Sequence, residues 1–191
     1  MRKPPFPRLF LVSCALAAAF LVASLGAQQE KFTGFAINTN SGPKTATVDF
    51  TVTRWSTDAE REQLLAIIKE NKDPTDKLLK ALQKMPKVGY IKTPDTLAYD
   101  VHYAHRVPDA NGGERIVLVT DRRLGAHAPD WAPASGGAAD AEFTLIEMRV
   151  DAKGVGEGKA SLTTNVVVDA AAKTLALDGY EAAPLLLKVS R

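Results

Sequence analysis

Three residues near the middle of the chain are of types that bind metal ions or transfer protons. His102 and His105 are three positions apart, and Asp100 precedes His102 by two. The flanking residues alternate between apolar and polar, which predicts a β-strand, and on a strand the two histidines lie on opposite faces. One metal ion therefore does not bind both, and no metal site is predicted. Asp100 and His102 share a face, as a carboxylate–imidazole pair requires, but a solvent-facing polar pair has the same spacing.

A second group of such residues lies in or beside an irregular segment, 123–140, that is rich in Ala, Pro and Gly. His127, Asp130 and Trp131 lie within it, and Asp121 just precedes it. Loops of this length are uncommon in compact domains unless they are functional or disordered. Trp131 either closes the end of the core or lines a pocket mouth. The chain has no Gly-x-Ser-x-Gly, His-Glu-x-x-His or phosphate-loop motif, so we predict no catalytic residue.

The first 27 residues have the parts of a secretory signal. Arg2, Lys3 and Arg8 supply positive charge, residues 9–25 form an apolar run, and small residues surround a predicted cleavage after Ala27. We therefore expect export to the periplasm or the extracellular space. If the leader is not cleaved, it would anchor the protein in the membrane. The remaining residues, 28–191, fit one domain by length.

Removal of this leader changes the charge and the cysteine content. The whole chain has 24 basic and 22 acidic residues, and three basic residues lie in the leader, so residues 28–191 carry 21 against 22, a net charge of −1. That charge gives no reason to expect a nucleic-acid partner. Cys14 is the only cysteine and also lies in the leader, which excludes disulfides and thiol-ligated cofactors from the domain. We expect no cofactor.

The residue pattern predicts an α+β fold. A strand hairpin over 31–55 precedes two amphipathic helices at about 57–86, the first starting with a Thr57–Glu60 capping box and the second at Asp73-Pro74. Strand patterns follow at 97–107, 116–119, 141–151, 158–169, 173–178 and 184–190. Short links between them favour antiparallel pairing. The chain is thus predicted to be a mainly antiparallel sheet, curled into a partial barrel or a sandwich, with an inserted two-helix hairpin.

Within the strand 97–107, alternation places Tyr99, Val101, Tyr103 and His105 on the core face and His102 on the wet face. Residues 116–119 are apolar in succession, which indicates that both faces of that strand are covered. The helical hairpin is the expected cover. Residues 154–159, Gly-Val-Gly-Glu-Gly-Lys, are predicted to be a hairpin turn.

Four segments, VGYIKTP at 88–94, VTDR at 119–122, FTLIE at 143–147 and GEGK at 156–159, carry a resemblance. Together they resemble exported proteins of environmental bacteria that have no assigned function. The resemblance covers most of the predicted domain. It implies export and a compact fold, and it identifies no catalytic or binding residue.

Three functions fit this sequence. The first is a non-enzymatic exported protein that binds a small apolar or amphipathic ligand at the open end of the sheet, using Tyr99, Tyr103, His105 and Trp131. The second is an envelope module that docks on another protein through an exposed apolar patch. The third is a hydrolase or metal-dependent enzyme that uses three or more of Asp100, His102, Asp121, His127 and Asp130.

Overall fold

A computed structural model of the chain describes residues 29–38, 44–93, 98–124, 143–161, 166–178, 180 and 185–191. The predicted leader, the segment with His127, Asp130 and Trp131, and several turns lie outside these residues. The elements run in the order β1 (Glu30–Asn38), β2 (Lys44–Val52), α1 (Asp58–Glu70), α2 (Thr75–Lys84), β3 (Gly89–Lys92), β4 (Tyr99–Pro108), β5 (Glu114–Thr120), β6 (Leu145–Val150), β7 (Val155–Ser161), β8 (Val166–Asp169), β9 (Thr174–Leu177) and β10 (Leu185–Ser190).

Eight of these strands form a closed antiparallel barrel in the order β1-β10-β7-β6-β5-β4-β3-β2, and β8 and β9 form a separate two-stranded sheet. The predicted α+β class with an inserted helical hairpin is confirmed. Pairing of β1 with both β2 and β10 closes the barrel. The sequence leaves open a partial barrel or a sandwich, and the structure is a barrel. Closure satisfies the backbone groups that a sandwich would leave at its edges.

Apolar side chains fill the barrel. Alternate residues of each strand point inward, and the largest include Phe32, Phe50, Ile91, Ile116 and Leu118, each at most 1% exposed. A barrel of eight strands has an interior that side chains of this size can fill.

A second layer covers the outer face of β4, β5 and β6. Leu64 and Leu65 of α1, Leu78 and Leu82 of α2, and Leu175 of β9 pack with outward residues of these strands in one buried cluster. The apolar run of β5 is therefore buried on both faces, as predicted. The first helix begins as the sequence indicates, with Thr57 and Glu60 as its capping box. The second begins at Thr75, and Pro74 occupies the N-cap position, where the sequence predicts a start at Asp73-Pro74.

A β-bulge in β4 changes the predicted faces of that strand. The register with β5 shifts between Val101 and Tyr103, so one extra residue is accommodated there. Tyr99, Val101 and Ala104 face the barrel interior, whereas Tyr103 packs in the outer layer. The prediction that Tyr99, Tyr103 and His105 share the core face is therefore wrong, as is the prediction that His102 faces water, because His102 is 6% exposed.

The glycine-rich segment 154–159 is mostly strand, which corrects the prediction of a turn. The turn is at Asp151–Gly154, where Gly154 has φ 78°, and β7 begins at Val155. A Cβ on Gly156 would lie 1.9 Å from the carbonyl oxygen of Arg149, so glycine is required for the close approach of β6 and β7. The single strand predicted over 158–169 is likewise two strands, β7 and β8.

Polar and aromatic side chains close one end of the barrel. Trp55 packs against the interior cluster, and its Nε1 donates to Glu30 Oε1 at 3.2 Å. Arg106 also donates to Glu30 Oε1, at 3.0 Å, and its guanidinium lies 4.8 Å from the centroid of the Trp55 ring. These contacts hold Trp55, which is partly buried, against the interior cluster.

Candidate functional site

The two tyrosines of the predicted ligand site lie on opposite sides of the barrel wall. Tyr99 is in the interior cluster and is 7% exposed. Tyr103 is fully buried in the outer layer, where its hydroxyl lies 3.1 Å from Thr174 Oγ1. Burial raises the pKa of Tyr103 to about 12, although the Thr174 hydrogen bond and the nearby Arg61 charge oppose the rise. The structure therefore does not bring these tyrosines together around one ligand, and Trp131 lies outside the described residues.

His105 lies on the outer face beside Tyr103, beneath α1. The two rings are stacked with their centroids 6.1 Å apart. Arg61 of α1 reaches down to this ring, and its Nη1 lies 3.1 Å from His105 Nε2. A guanidinium only donates hydrogen bonds, so Nε2 accepts and the proton of a neutral ring lies on Nδ1. Nδ1 is buried and has no hydrogen-bond partner among the described residues.

The surroundings of His105 disfavour its charged form. Burial lowers its pKa, and the positive charges of Arg61 and Arg115 lower it further, while Asp58 opposes them. Arg61 is in turn held by Asp58, with Nη1 and Oδ1 2.9 Å apart. The side chain of Arg61 is only 16% exposed. His105 and Asp58 thus fix a largely buried guanidinium at the edge of α1.

Arg61 lines a groove of about 500 Å³ between α1 and the β8–β9 hairpin. Its apolar lining comes from Leu65 and Ala66 on α1 and from Val168 and Ala170 on the hairpin. Three cationic and two anionic side chains complete the lining: Arg61, Lys69, Lys173, Glu62 and Glu70. The groove therefore combines an apolar surface with a small excess of positive charge.

The local sequence accounts for both walls of this groove. Lining residues of α1 recur at 61, 65 and 69 and at 62, 66 and 70, spacings that fall along one side of a helix. On the hairpin, Asp169 Oδ1 accepts from the backbone amides of Ala171 and Ala172 at 3.0 Å each. Lys173 follows with φ 49°, in the left-handed region that lysine rarely adopts. This tight turn places Lys173 at the groove.

His102 and Asp121 form a second buried polar pair, near the end of α2. His102 Nδ1 lies 2.9 Å from the carbonyl oxygen of Met85, and its Nε2 lies 3.7 Å from Asp121 Oδ1. Asp121 Oδ1 is buried and has no hydrogen-bond partner among the described residues. The sequence leaves open whether Asp100 pairs with His102. In the structure Asp100 Oδ2 forms an ion pair with Lys87 Nζ at 2.6 Å, and the carboxylate nearest to His102 is that of Asp121.

Sequence reasoning missed Arg61, Lys69 and Lys173. Arg61 and Lys69 follow the polar edge of the helix that the apolar stripe predicts, which is a weak signal because most surface helices have such an edge. Nothing in the sequence indicates that Arg61 meets His105, 44 positions away. The left-handed conformation of Lys173 also lacks a signal, since glycine or asparagine usually marks it.

Comparison of the chain with family models, curated proteins and solved structures finds no match in any of the three. Neither α1 nor α2 is long and apolar enough to cross a membrane, and the described residues contain no other helix that is. Within the same residues, no three His, Cys, Asp or Glu side chains are grouped as a metal site would require. The functional argument therefore rests on the Arg61–His105 and His102–Asp121 contacts and on the groove.

Proposed function

We propose that this chain is an exported, non-enzymatic binding protein that holds a small amphipathic anion in the groove between α1 and the β8–β9 hairpin. The partly buried Arg61 guanidinium, fixed by His105 and Asp58 beside an apolar wall, is the observation that carries this proposal. A charged donor already held in place loses little side-chain entropy when it binds a carboxylate. Export is inferred from the leader-like residues 1–27.

The size and lining of the groove suit such a ligand. Its volume of about 500 Å³ lies within the range of roughly 300–1,000 Å³ that is typical of small-molecule sites. Leu65 and Val168 offer apolar contact to a short hydrocarbon chain. Arg61 uses Nη1 for His105 and Asp58, so its Nη2 is the donor it offers to the acidic head. The residues of the predicted ligand site contribute indirectly, because His105 orients Arg61 and Tyr103 stacks on His105.

The barrel interior and the groove near the start of α2 fit this ligand less well. Side chains of the barrel fill its interior. The described barrel therefore gives no support for binding a ligand inside it. A groove of about 700 Å³ near the start of α2 is larger, but three aspartates and one lysine line it: Asp73, Asp76, Asp178 and Lys72. An anion is repelled by that lining.

The two alternative functions have less support from the described residues. A docking module calls for a continuous apolar patch, yet the large apolar residues that are exposed in the described part of the chain are Phe35 on β1, Val155 on β7 and Val167 on β8. These strands are not neighbours in either sheet. An enzyme calls for a convergent set of catalytic groups, and the described part of the candidate set converges only at His102 and Asp121.

Binding of model ligands tests this proposal. Octanoate and octylammonium have the same chain length and opposite charge, and isothermal titration calorimetry on the exported protein compares them directly. We expect octanoate to bind and octylammonium not to bind. Arg61→Gln should weaken octanoate binding at least tenfold, since a charge-assisted hydrogen bond is lost. Equal binding of the two ligands, or no binding of octanoate, would contradict the proposal.

Two further variants separate loss of the site from loss of the fold. The double variant Lys69→Gln/Lys173→Gln removes two positive charges from solvent-exposed positions of the groove and should also weaken octanoate binding. Arg122→Gln is the matched control, because the side chain of Arg122 is 73% exposed and is not part of the groove. An equal effect of Arg61→Gln and Arg122→Gln would place the ligand elsewhere and overturn the proposal.

A further inference from the structure

The groove beside α1 has a positively charged side chain at each of its two ends. Arg61, Leu65 and Lys69 line it at intervals of four residues, so they lie in one row along the helix. Because an α-helix rises by about 1.5 Å per residue, the Cα atoms of Arg61 and Lys69 are about 12 Å apart along its axis. Leu65, an apolar residue, lies midway between the two cations.

The turn of the β8–β9 hairpin lies at the Arg61 end of the groove. Thr174 Oγ1, just after the turn, lies 3.1 Å from the Tyr103 hydroxyl. Tyr103 stacks on His105, and His105 contacts Arg61. Lys173 precedes Thr174 and lines the groove, so it joins Arg61 at this end.

The other end of the groove lies beside the start of β8. Val166 begins β8 and lines a second groove together with Lys72, which follows the last residue of α1 by two positions. The strand from Val166 to Ala170 is about 13 Å long, close to the length of helix between Arg61 and Lys69. The helix and the hairpin therefore run side by side, and Lys69 is the cation at the second end.

We propose that the ligand of this groove is a straight-chain dianion with an acidic group at each end, an α,ω-dicarboxylate. One carboxylate binds at Arg61 and Lys173, and the other binds at Lys69. This inference rests on the proposed function and adds the chemical class of the ligand.

Both lysines are available to such a ligand. They are exposed, and in the described part of the chain neither forms an ion pair with an acid. Asp169, the acid of the hairpin turn, pairs with Arg115 instead, with Oδ2 and Nη2 2.8 Å apart. The turn also holds Lys173 at φ 49°, a strained conformation for lysine, and such strain is common at ligand sites.

The lining between the two ends is apolar. Leu65 and Ala66 on the helix face Val168 and Ala170 on the hairpin across the groove. A hydrocarbon chain laid along these residues is removed from water, which is favourable, while its two ends stay in contact with charged groups. A ligand with one acidic end leaves Lys69 without a partner.

Two acids that also line the groove define the alternative ligand. Glu62 and Glu70 follow Arg61 and Lys69 by one position each, which places them about 100° further round the helix. A ligand whose far end met Glu70 instead of Lys69 would carry an ammonium there. The charge preferred at the far end of the ligand therefore distinguishes the two arrangements.

Three ligands with the same carbon chain test the proposal by isothermal titration calorimetry on the exported protein. Octanoate, suberate and ω-aminooctanoate carry a methyl group, a carboxylate and an ammonium at the far end. At low salt, where exposed ion pairs are least screened, we expect suberate to bind about threefold more tightly than octanoate. We expect ω-aminooctanoate to bind more weakly than octanoate.

A single substitution assigns the preference for suberate to one side chain. Lys69→Gln should remove this preference, with a smaller effect on octanoate binding. Lys80→Gln is the matched control, because Lys80 is an exposed lysine of α2 that does not line the groove, and it should keep the preference.

The outcomes separate this inference from the function on which it rests. Octanoate binding with no preference for suberate, or with a preference for ω-aminooctanoate, would overturn the dianion and leave the proposed function standing. A preference for suberate that persists in Lys69→Gln would overturn the assignment of the second carboxylate. If neither octanoate nor suberate binds, the proposed function fails and the inference fails with it.

Discussion

Arg61 Nη1 lies 3.1 Å from His105 Nε2, which joins the first helix to the fourth strand across the outer layer of the barrel. Because the guanidinium can only donate, the contact selects the histidine tautomer with its proton on Nδ1. It also holds a largely buried positive charge at the edge of an apolar groove. The proposed binding function depends on this pairing.

His105 should remain neutral at pH values at which an ordinary histidine is protonated, because burial and Arg61 lower its pKa from the usual 6.5. Its neutral form stabilises the fold above pH 6.5, and that contribution is lost as the pH falls through the lowered pKa. Arg61→Gln should move the pKa of His105 back toward 6.5. A pH titration of the His105 ring nitrogens by nuclear magnetic resonance measures the pKa in the unchanged protein and in Arg61→Gln. An unchanged pKa in the variant would show that the Arg61 charge does not lower it.

Glu60 links the start of α1 to Arg54, with Oε1 and Nη2 2.7 Å apart. The hydrogen bond from Arg54 lowers the pKa of Glu60 from 4.5 to about 2, so its stabilising effect is present above pH 4.5 and lost as the pH falls toward 2. Glu60→Gln should cost about 1 kcal/mol at pH 7 and less at pH 3. Urea denaturation at the two pH values measures this, and a pH-independent cost would count against the ion pair.

Tyr103 should ionise only at strongly alkaline pH, because burial raises its pKa to about 12. The raised pKa stabilises the fold below pH 10, and this effect disappears as the pH rises through 12. Ultraviolet titration should show one late-ionising phenol that is absent from Tyr103→Phe. The same variant leaves Thr174 Oγ1 without this partner and should cost about 1 kcal/mol in free energy of unfolding. A late phenol that persists in the variant would disprove the assignment.

Gly156→Ala should destabilise the barrel by about 3 kcal/mol or more, because the new Cβ would collide with backbone atoms of Arg149 and Val150. Gly158→Ala, in the same strand, is the matched control. Its Cβ would lie 3.0 Å from Met148 Cγ, a side-chain atom that can shift, so we expect a smaller loss. Thermal unfolding compares the stability of the two variants. Equal losses of stability would mean that the close approach of β6 and β7 at Gly156 does not require glycine.

Local patterns predict the elements whose signals are themselves local. The capping box at Thr57 and Glu60, the apolar stripe of α2 and the doubly covered β5 all appear where the sequence places them. Closure of the barrel depends instead on pairing such as Phe35 with Lys188, which are 153 positions apart, and no local signal encodes it. The sequence therefore predicts a curled sheet and leaves its closure open.

The candidate sites were harder to predict because they depend on one irregularity and on distant contacts. Alternation assigns His102 to the wet face, yet the ring is buried and contacts the Met85 carbonyl at the end of α2, 17 positions away. Asp100 is nearer to His102 in sequence than Asp121, yet Lys87 engages Asp100. Arg61 has no sequence signal that distinguishes it from other polar residues of α1.

Amide resonances recorded during an octanoate titration test the binding proposal most directly, because they locate the ligand as well as detect it. The proposal predicts saturable shifts in α1, from Arg61 to Glu70, and in the hairpin from Val168 to Lys173. Strands β1, β2 and β3 should remain unaffected. Shifts confined to the barrel strands or to the groove near Asp73, or no saturable shift at all, would contradict the account.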